Sequence, residues 1–156
     1  MKMDHRAEHD PCGPAAGVIG LGIMGGAFAS HLAAAGVRTF GFDVIEANRE
    51  RLAAQGGFSS KSAREVGAES DMIVTSLPHV AAFEDALFGG EGLIAAGRRG
   101  MVVVETSTFP LEAKEAARAR LAKAGIEMLD APVSGTGSQA KTKDITVFAS
   151  GERADF

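Results

Sequence analysis

The sequence predicts an α/β fold of the doubly wound, Rossmann type: a mostly parallel sheet with helices on both faces. Two observations predict it. Strand-length apolar runs alternate with Ala-rich helical stretches along the whole chain. A G-x-G-x-x-G turn joins the first run to the first strong helix. With 156 residues, 46% of them hydrophobic and 23% charged, the chain has the length of one domain and the balance of a globular protein.

Taken in order, residues 1–14 are polar, contain Pro11 and Pro14 and show no period, so they read as a flexible leader to a domain over 15–156. Apolar runs at 15–20, 37–43, 71–77, 101–105, 126–130 and 145–150 read as strands. Helices are expected at 24–35, ended by Gly36, at 46–55, ended by Gly56, and at 110–124, ended by Gly125. Pro110 is placed at the first helical position, with Thr108 or Phe109 in the cap region. Weaker helical patterns cover 61–68 and 79–87.

The bulk chemistry excludes several partners. Sixteen Lys and Arg against twenty Asp and Glu leave a net charge of -4, so no basic field exists to attract nucleic acid or an anionic membrane surface. Cys12 has no second cysteine for a disulfide or a thiolate metal site, which fits a reducing cytoplasm, and no metal is expected. Residues 15–30 are apolar and end in Ala27-Phe28-Ala29, resembling a signal-peptide core with a small-residue cleavage site. Asp4, Glu8 and Asp10 ahead of the run and five glycines within it argue against that reading, and the run is too short to span a bilayer.

The motif with chemistry is Gly20-Leu21-Gly22-Ile23-Met24-Gly25. Gly20 allows a tight turn, Gly22 removes a side chain that would block a pyrophosphate, and Gly25 lets the helix approach the strand. Phosphates would then meet N–H groups around Ile23 and Met24 at the positive end of the helix. Asp43 lies eighteen residues after Gly25, at the end of the second strand, where a carboxylate can accept bonds from both hydroxyls of an adenosine ribose. Val44 follows it, with no basic side chain to welcome a 2′-phosphate, so NAD is favoured over NADP. Arg49 and Arg51 read as solvated helix charges, and Lys141 and Lys143 as solvated loop charges.

Four patches in this order resemble the β-hydroxyacid dehydrogenase family, which includes 3-hydroxyisobutyrate dehydrogenase, tartronate semialdehyde reductase and relatives of 6-phosphogluconate dehydrogenase. They are the glycine turn, Ser76-Leu77-Pro78, Thr106-Ser107-Thr108-Phe109-Pro110 and Asp130-Ala131-Pro132-Val133-Ser134-Gly135. The resemblance implies that Ser76, Leu77 and Pro78 line the cofactor cleft and that Ser107 and Thr108 lie beside the nicotinamide and its ribose. It implies that Ser134, Gly135 and Thr136 hold the carboxylate of a small substrate. Thr136 stands where the family commonly has a second glycine, and Gln139, Lys141 and Lys143 where it commonly has Gly, Glu and Gly. The family's catalytic lysine falls on a helix past Phe156, followed by an all-helical domain that closes the site and forms a homo-oligomer.

The chain itself is therefore expected to carry no catalytic residue and to be inactive alone. His31 reads as a helix histidine, and His79 sits near the cleft without a partner carboxylate visible in the sequence. A noncatalytic NAD-binding module or sensor is the alternative, and an S-adenosylmethionine transferase a remoter one.

Overall fold

The computed structural model describes residues 13–155. Most of the expected leader, with Cys12, and the terminal Phe156 lie outside the described residues. Six strands form one parallel sheet in the order β3-β2-β1-β4-β5-β6. These are β1 (Ala15–Ile19), β2 (Arg38–Phe42), β3 (Phe58–Ser59), β4 (Met72–Thr75), β5 (Val102–Glu105) and β6 (Glu127–Asp130). Ile19 is in register with Phe42 on one side and Thr75 on the other, so β1, β2 and β4 end at one level. The chain winds outward from β1 in both directions, and such a reversal opens a crevice beyond the carboxyl ends of the strands.

Alternation along the strands divides the core in two. Ile19, Ile73 and Val103 point to one face and pack with Val66, Phe83, Leu87 and Leu121. These come from α3 (Ala63–Glu69), α4 (Val80–Phe88) and α5 (Leu111–Lys123). Val18 and Val74 point to the other face and pack with Ala29 of α1 (Ile23–Ala34) and Leu52 of α2 (Glu46–Ala54). Beside α1, Phe28, Leu32, Met72, Val74, Val104 and Val147 line an apolar trough of about 320 Å³.

The sheet departs from expectation at its two ends. The edge strand β3 was not anticipated, because two residues give no periodic signal. Residues 145–150 do not form a long strand. Instead β8 (Thr146–Val147) pairs antiparallel with β7 (Val133–Ser134), and Ser150 bridges Asp130 through two backbone bonds of 2.9 and 2.7 Å. A parallel strand needs a long crossover, whereas only the five-residue α6 (Gly137–Lys141) lies between β7 and β8. Pro110 is the N-cap of α5 rather than its first residue, and no side chain caps that helix. Among the described residues no helix is long and apolar enough to cross a membrane.

Candidate cofactor cleft

The glycine turn lies at the mouth of the crevice, and its three glycines differ in what they are for. Gly20 has φ +89°, and a Cβ there would lie 2.1 Å from the Ser76 carbonyl oxygen. A Cβ on Gly25 would lie 1.8 Å from the Gly20 carbonyl oxygen. The protein's own backbone thus demands both glycines. A Cβ on Gly22 would meet nothing within 4 Å. No packing requires that glycine, and its bareness leaves an open cradle at the N-terminus of α1. The helix has neither a side-chain cap nor an acidic residue in its first turn, so its leading N–H groups and positive dipole end are uncompensated by side chains.

Asp43 follows β2 and is half-buried. Its Oδ2 accepts the Leu21 N–H at 2.7 Å and its Oδ1 accepts the Ile45 N–H at 2.8 Å. A carboxylate has about four acceptor positions, so one on each oxygen stays open toward the cleft mouth. Val44 beside it is exposed. The expectation that Arg49 and Arg51 are merely solvated is corrected. Arg49 Nη1 donates to the Asp43 carbonyl at 2.5 Å, and Arg51 Nη2 donates to the Leu21 carbonyl at 2.8 Å and to Asn48 Oδ1 at 2.9 Å. Both tie α2 to the two loops that frame the cleft, because loop carbonyls left without strand partners need donors.

A cavity of about 250 Å³ collects residues from all four motif patches: Met24, then Ser76, Leu77 and Pro78, then Ser107 and Thr108, then Val133 and Gly135. Ser107 Oγ accepts the Leu77 N–H at 2.9 Å, and Thr106 Oγ1 donates to the Thr75 carbonyl at 2.7 Å, which fastens the loop after β5 to the loop after β4. Thr108 is exposed on the cavity rim. Ser134 lies in β7 and Gly135 follows it with φ +147°. Thr136 does not line this cavity; it caps α6 in a reciprocal pair with Gln139, whose Oε1 accepts the Thr136 N–H at 2.9 Å. A larger recess of about 890 Å³ shares Gly22 and Ile23 and runs between α1, α2 and α6, with Arg51, Thr136 and Lys141 on its walls.

Beneath the cavity floor lies a polar network that the sequence reading missed. Glu105 is 0% exposed; its Oε2 accepts from Thr75 Oγ1 at 3.0 Å and its Oε1 accepts the Ser107 N–H. Burial pushes the Glu105 carboxyl above its usual range, against hydrogen bonds from Ser107 and Thr75 and the nearby charge of Lys114. Lys114 is 5% exposed, and its Nζ donates to the Ser107 carbonyl at 2.6 Å and to Asp130 Oδ1 at 2.5 Å. One signal was available: Lys114, Ala117 and Leu121 share the inward stripe of α5, so a lysine occupies a core-facing position.

The two histidines are structural. His31 Nε2–H donates to the Ala140 carbonyl at 2.8 Å and tethers α1 to α6. His79 is the N-cap of α4, with Nδ1 accepting the Ala82 N–H at 3.1 Å. Among the described residues no cluster of His, Cys, Asp and Glu could hold a metal ion.

A family profile described as the NAD binding domain of 6-phosphogluconate dehydrogenase matches residues 15–156. An L-threonate dehydrogenase from Cupriavidus necator is 38% identical over 135 residues, which is 86% of this chain and 46% of that protein. The 2-hydroxy-3-oxopropionate reductase of Escherichia coli is 36% identical over 141 residues, 90% of this chain and 48% of that one. The crystal structure of 3-hydroxyisobutyrate dehydrogenase from Salmonella typhimurium superimposes with a TM-score of 0.85 at 32% identity, covering 92% of this chain and 50% of the other. The chain thus spans about half the length of these relatives.

Proposed function

The chain belongs to the family of the NAD binding domain of 6-phosphogluconate dehydrogenase, and from that membership we propose that it is the cofactor half of an enzyme exchanging a hydride between a nicotinamide and a small β-hydroxy acid. The observation that carries this reading is the open space over Gly22, a glycine the fold itself does not need, at the uncapped start of α1.

On this reading the turn from Gly20 to Gly25 receives the pyrophosphate, with Leu21, Ile23 and Met24 forming its walls. Asp43 accepts the adenosine ribose hydroxyls through its two open positions, and a 2′-phosphate would face that carboxylate with only Val44 beside it, which favours NAD over NADP. Ser76, Leu77, Pro78 and Thr108 border the nicotinamide end. The bound nicotinamide would supply the hydride acceptor or donor. Ser134 and Gly135 are proposed for the substrate carboxylate, since a glycine at positive φ turns its backbone N–H without a side chain in the way. Thr136 contributes less there, because its N–H is already given to Gln139.

No side chain in the 250 Å³ cavity is placed to move the hydroxyl proton: Lys114 is committed beneath the floor and His79 to its cap. We assign that role to the part of the relatives' length that this chain does not span, so the chain alone binds cofactor and does not turn over substrate. NADH fluorescence tests the binding. Saturable enhancement of nicotinamide emission by the folded chain is expected, and an unchanged spectrum contradicts the reading.

A further inference from the structure

Ser107 has every polar group taken by the protein. Its N–H goes to Glu105 Oε1, its carbonyl accepts from Lys114 Nζ at 2.6 Å, and its Oγ accepts the Leu77 N–H at 2.9 Å. It therefore offers no free backbone donor to a ligand and works as a joint between the loops after β4 and β5. The cation that completes the joint also reaches Asp130, the last residue of β6 and the one from which the Val133–Gly135 loop departs.

We propose that Lys114 is a positioning residue: by bonding Ser107 and Asp130 with one buried ammonium, it sets the spacing between the nicotinamide wall and the loop after β6. The proposal rests on the cofactor reading given above. Three features support it. Lys114 occupies a stripe of α5 otherwise filled by Ala117 and Leu121, where an apolar side chain would serve packing as well. A buried ion pair is weak as a source of stability, since well-packed apolar replacements are commonly neutral or stabilising, so geometry is the better reason for the charge. Both acceptors sit at the carboxyl ends of neighbouring strands that border the same 250 Å³ cavity.

The arrangement also indicates which half of a dinucleotide would feel its loss. Lys114 is remote in the chain and in its bonding from the Gly20–Gly25 turn and Asp43, which would hold the adenosine diphosphate part. Its two partners border only the nicotinamide end.

Titration of the chain with NADH and, separately, with ADP-ribose, which lacks the nicotinamide, separates the possibilities. Lys114→Met keeps the length of the side chain and removes the cation; Asp130 is 35% exposed, so water can replace its lost partner and the fold is retained. NADH affinity is expected to fall about tenfold, the loss of roughly one charge-assisted hydrogen bond, while ADP-ribose affinity stays within about twofold. Asp130→Asn, which keeps an acceptor for Lys114, is expected to show the same selectivity at smaller size and stands in should Lys114→Met not fold by circular dichroism. Equal losses for both ligands, or no loss for either, would overturn the positioning role and leave Lys114 a structural residue. If the unmutated chain binds neither ligand, the cofactor reading itself fails and this proposal with it.

Discussion

Asp43 Oδ2 accepts the Leu21 N–H at 2.7 Å, so the carboxylate proposed for the ribose also fixes the turn proposed for the pyrophosphate. One side chain links two halves of a ligand site that lie twenty-two residues apart. Asp43→Ala is accordingly expected to cost NAD binding more than a single lost ribose contact: about 1 to 3 kcal/mol, or roughly 5- to 150-fold in affinity. Its preference for NAD over NADP should shrink at the same time. Calorimetric titration of the variant with both cofactors measures each effect, and an unchanged preference would show that the carboxylate serves only the turn.

The glycines of the turn should separate by experiment as they do by geometry. Gly22→Val places its side chain in open space and is expected to remain folded, at a cost of at most about 1 kcal/mol from the poorer helix cap. Dinucleotide binding should vanish. Gly25→Ala, whose Cβ would meet the Gly20 carbonyl oxygen at 1.8 Å, is expected to lose about 1 to 3 kcal/mol of stability from overpacking. Thermal denaturation and NADH titration of the pair check both statements; normal binding by a folded Gly22→Val chain would show that the turn is structural only.

Lys143 adopts φ +60° and is exposed, the conformation in which an L side chain crowds its own backbone. Lys143→Gly should therefore stabilise the chain, by about 1 kcal/mol in chemical denaturation. A neutral or destabilising result would mean that the entropy glycine adds to the unfolded chain outweighs the relief.

Glu105 gives a pH dependence with a definite sign. Burial raises its carboxyl above the usual range in the folded state, so between the unfolded value and that raised value the folded chain holds the extra proton. Its contribution to stability is present at low pH and is lost as pH rises through the folded-state value. Glu105→Gln can still accept the Ser107 N–H without that penalty. Its melting temperature relative to the unmutated chain should climb between about pH 5 and pH 8; a constant or falling difference contradicts the burial argument.

What the sequence revealed and what it hid follow from the range of the interactions. The strands through Ile19, Ile73 and Val103 announce themselves by short apolar runs, and the turn at Gly20 by spacing, because each is a local pattern. The four motif patches could be placed together because all follow strands of one parallel sheet, and their loops share one end of it. The Lys114–Asp130 pair spans sixteen residues and Thr75–Glu105 thirty, and nothing local marks either as bonded. Arg49 and Arg51 looked like solvent-facing helix charges for the same reason: their acceptors are carbonyls of other loops. The end of the chain was misread because 145–150 is apolar enough for a strand, while the short connection through α6 permits only an antiparallel pair.

The central claim is that Gly22 and Asp43 form one cleft that takes NAD, with the ribose hydroxyls on the carboxylate. Isothermal titration of the unmutated chain with NAD and with NADP tests it most directly. The account predicts one NAD per chain, bound more tightly than NADP by at least about tenfold, the order of one charge-assisted hydrogen bond together with the repulsion of a 2′-phosphate by Asp43. Equal affinity for the two cofactors, or NADP the tighter, would contradict it.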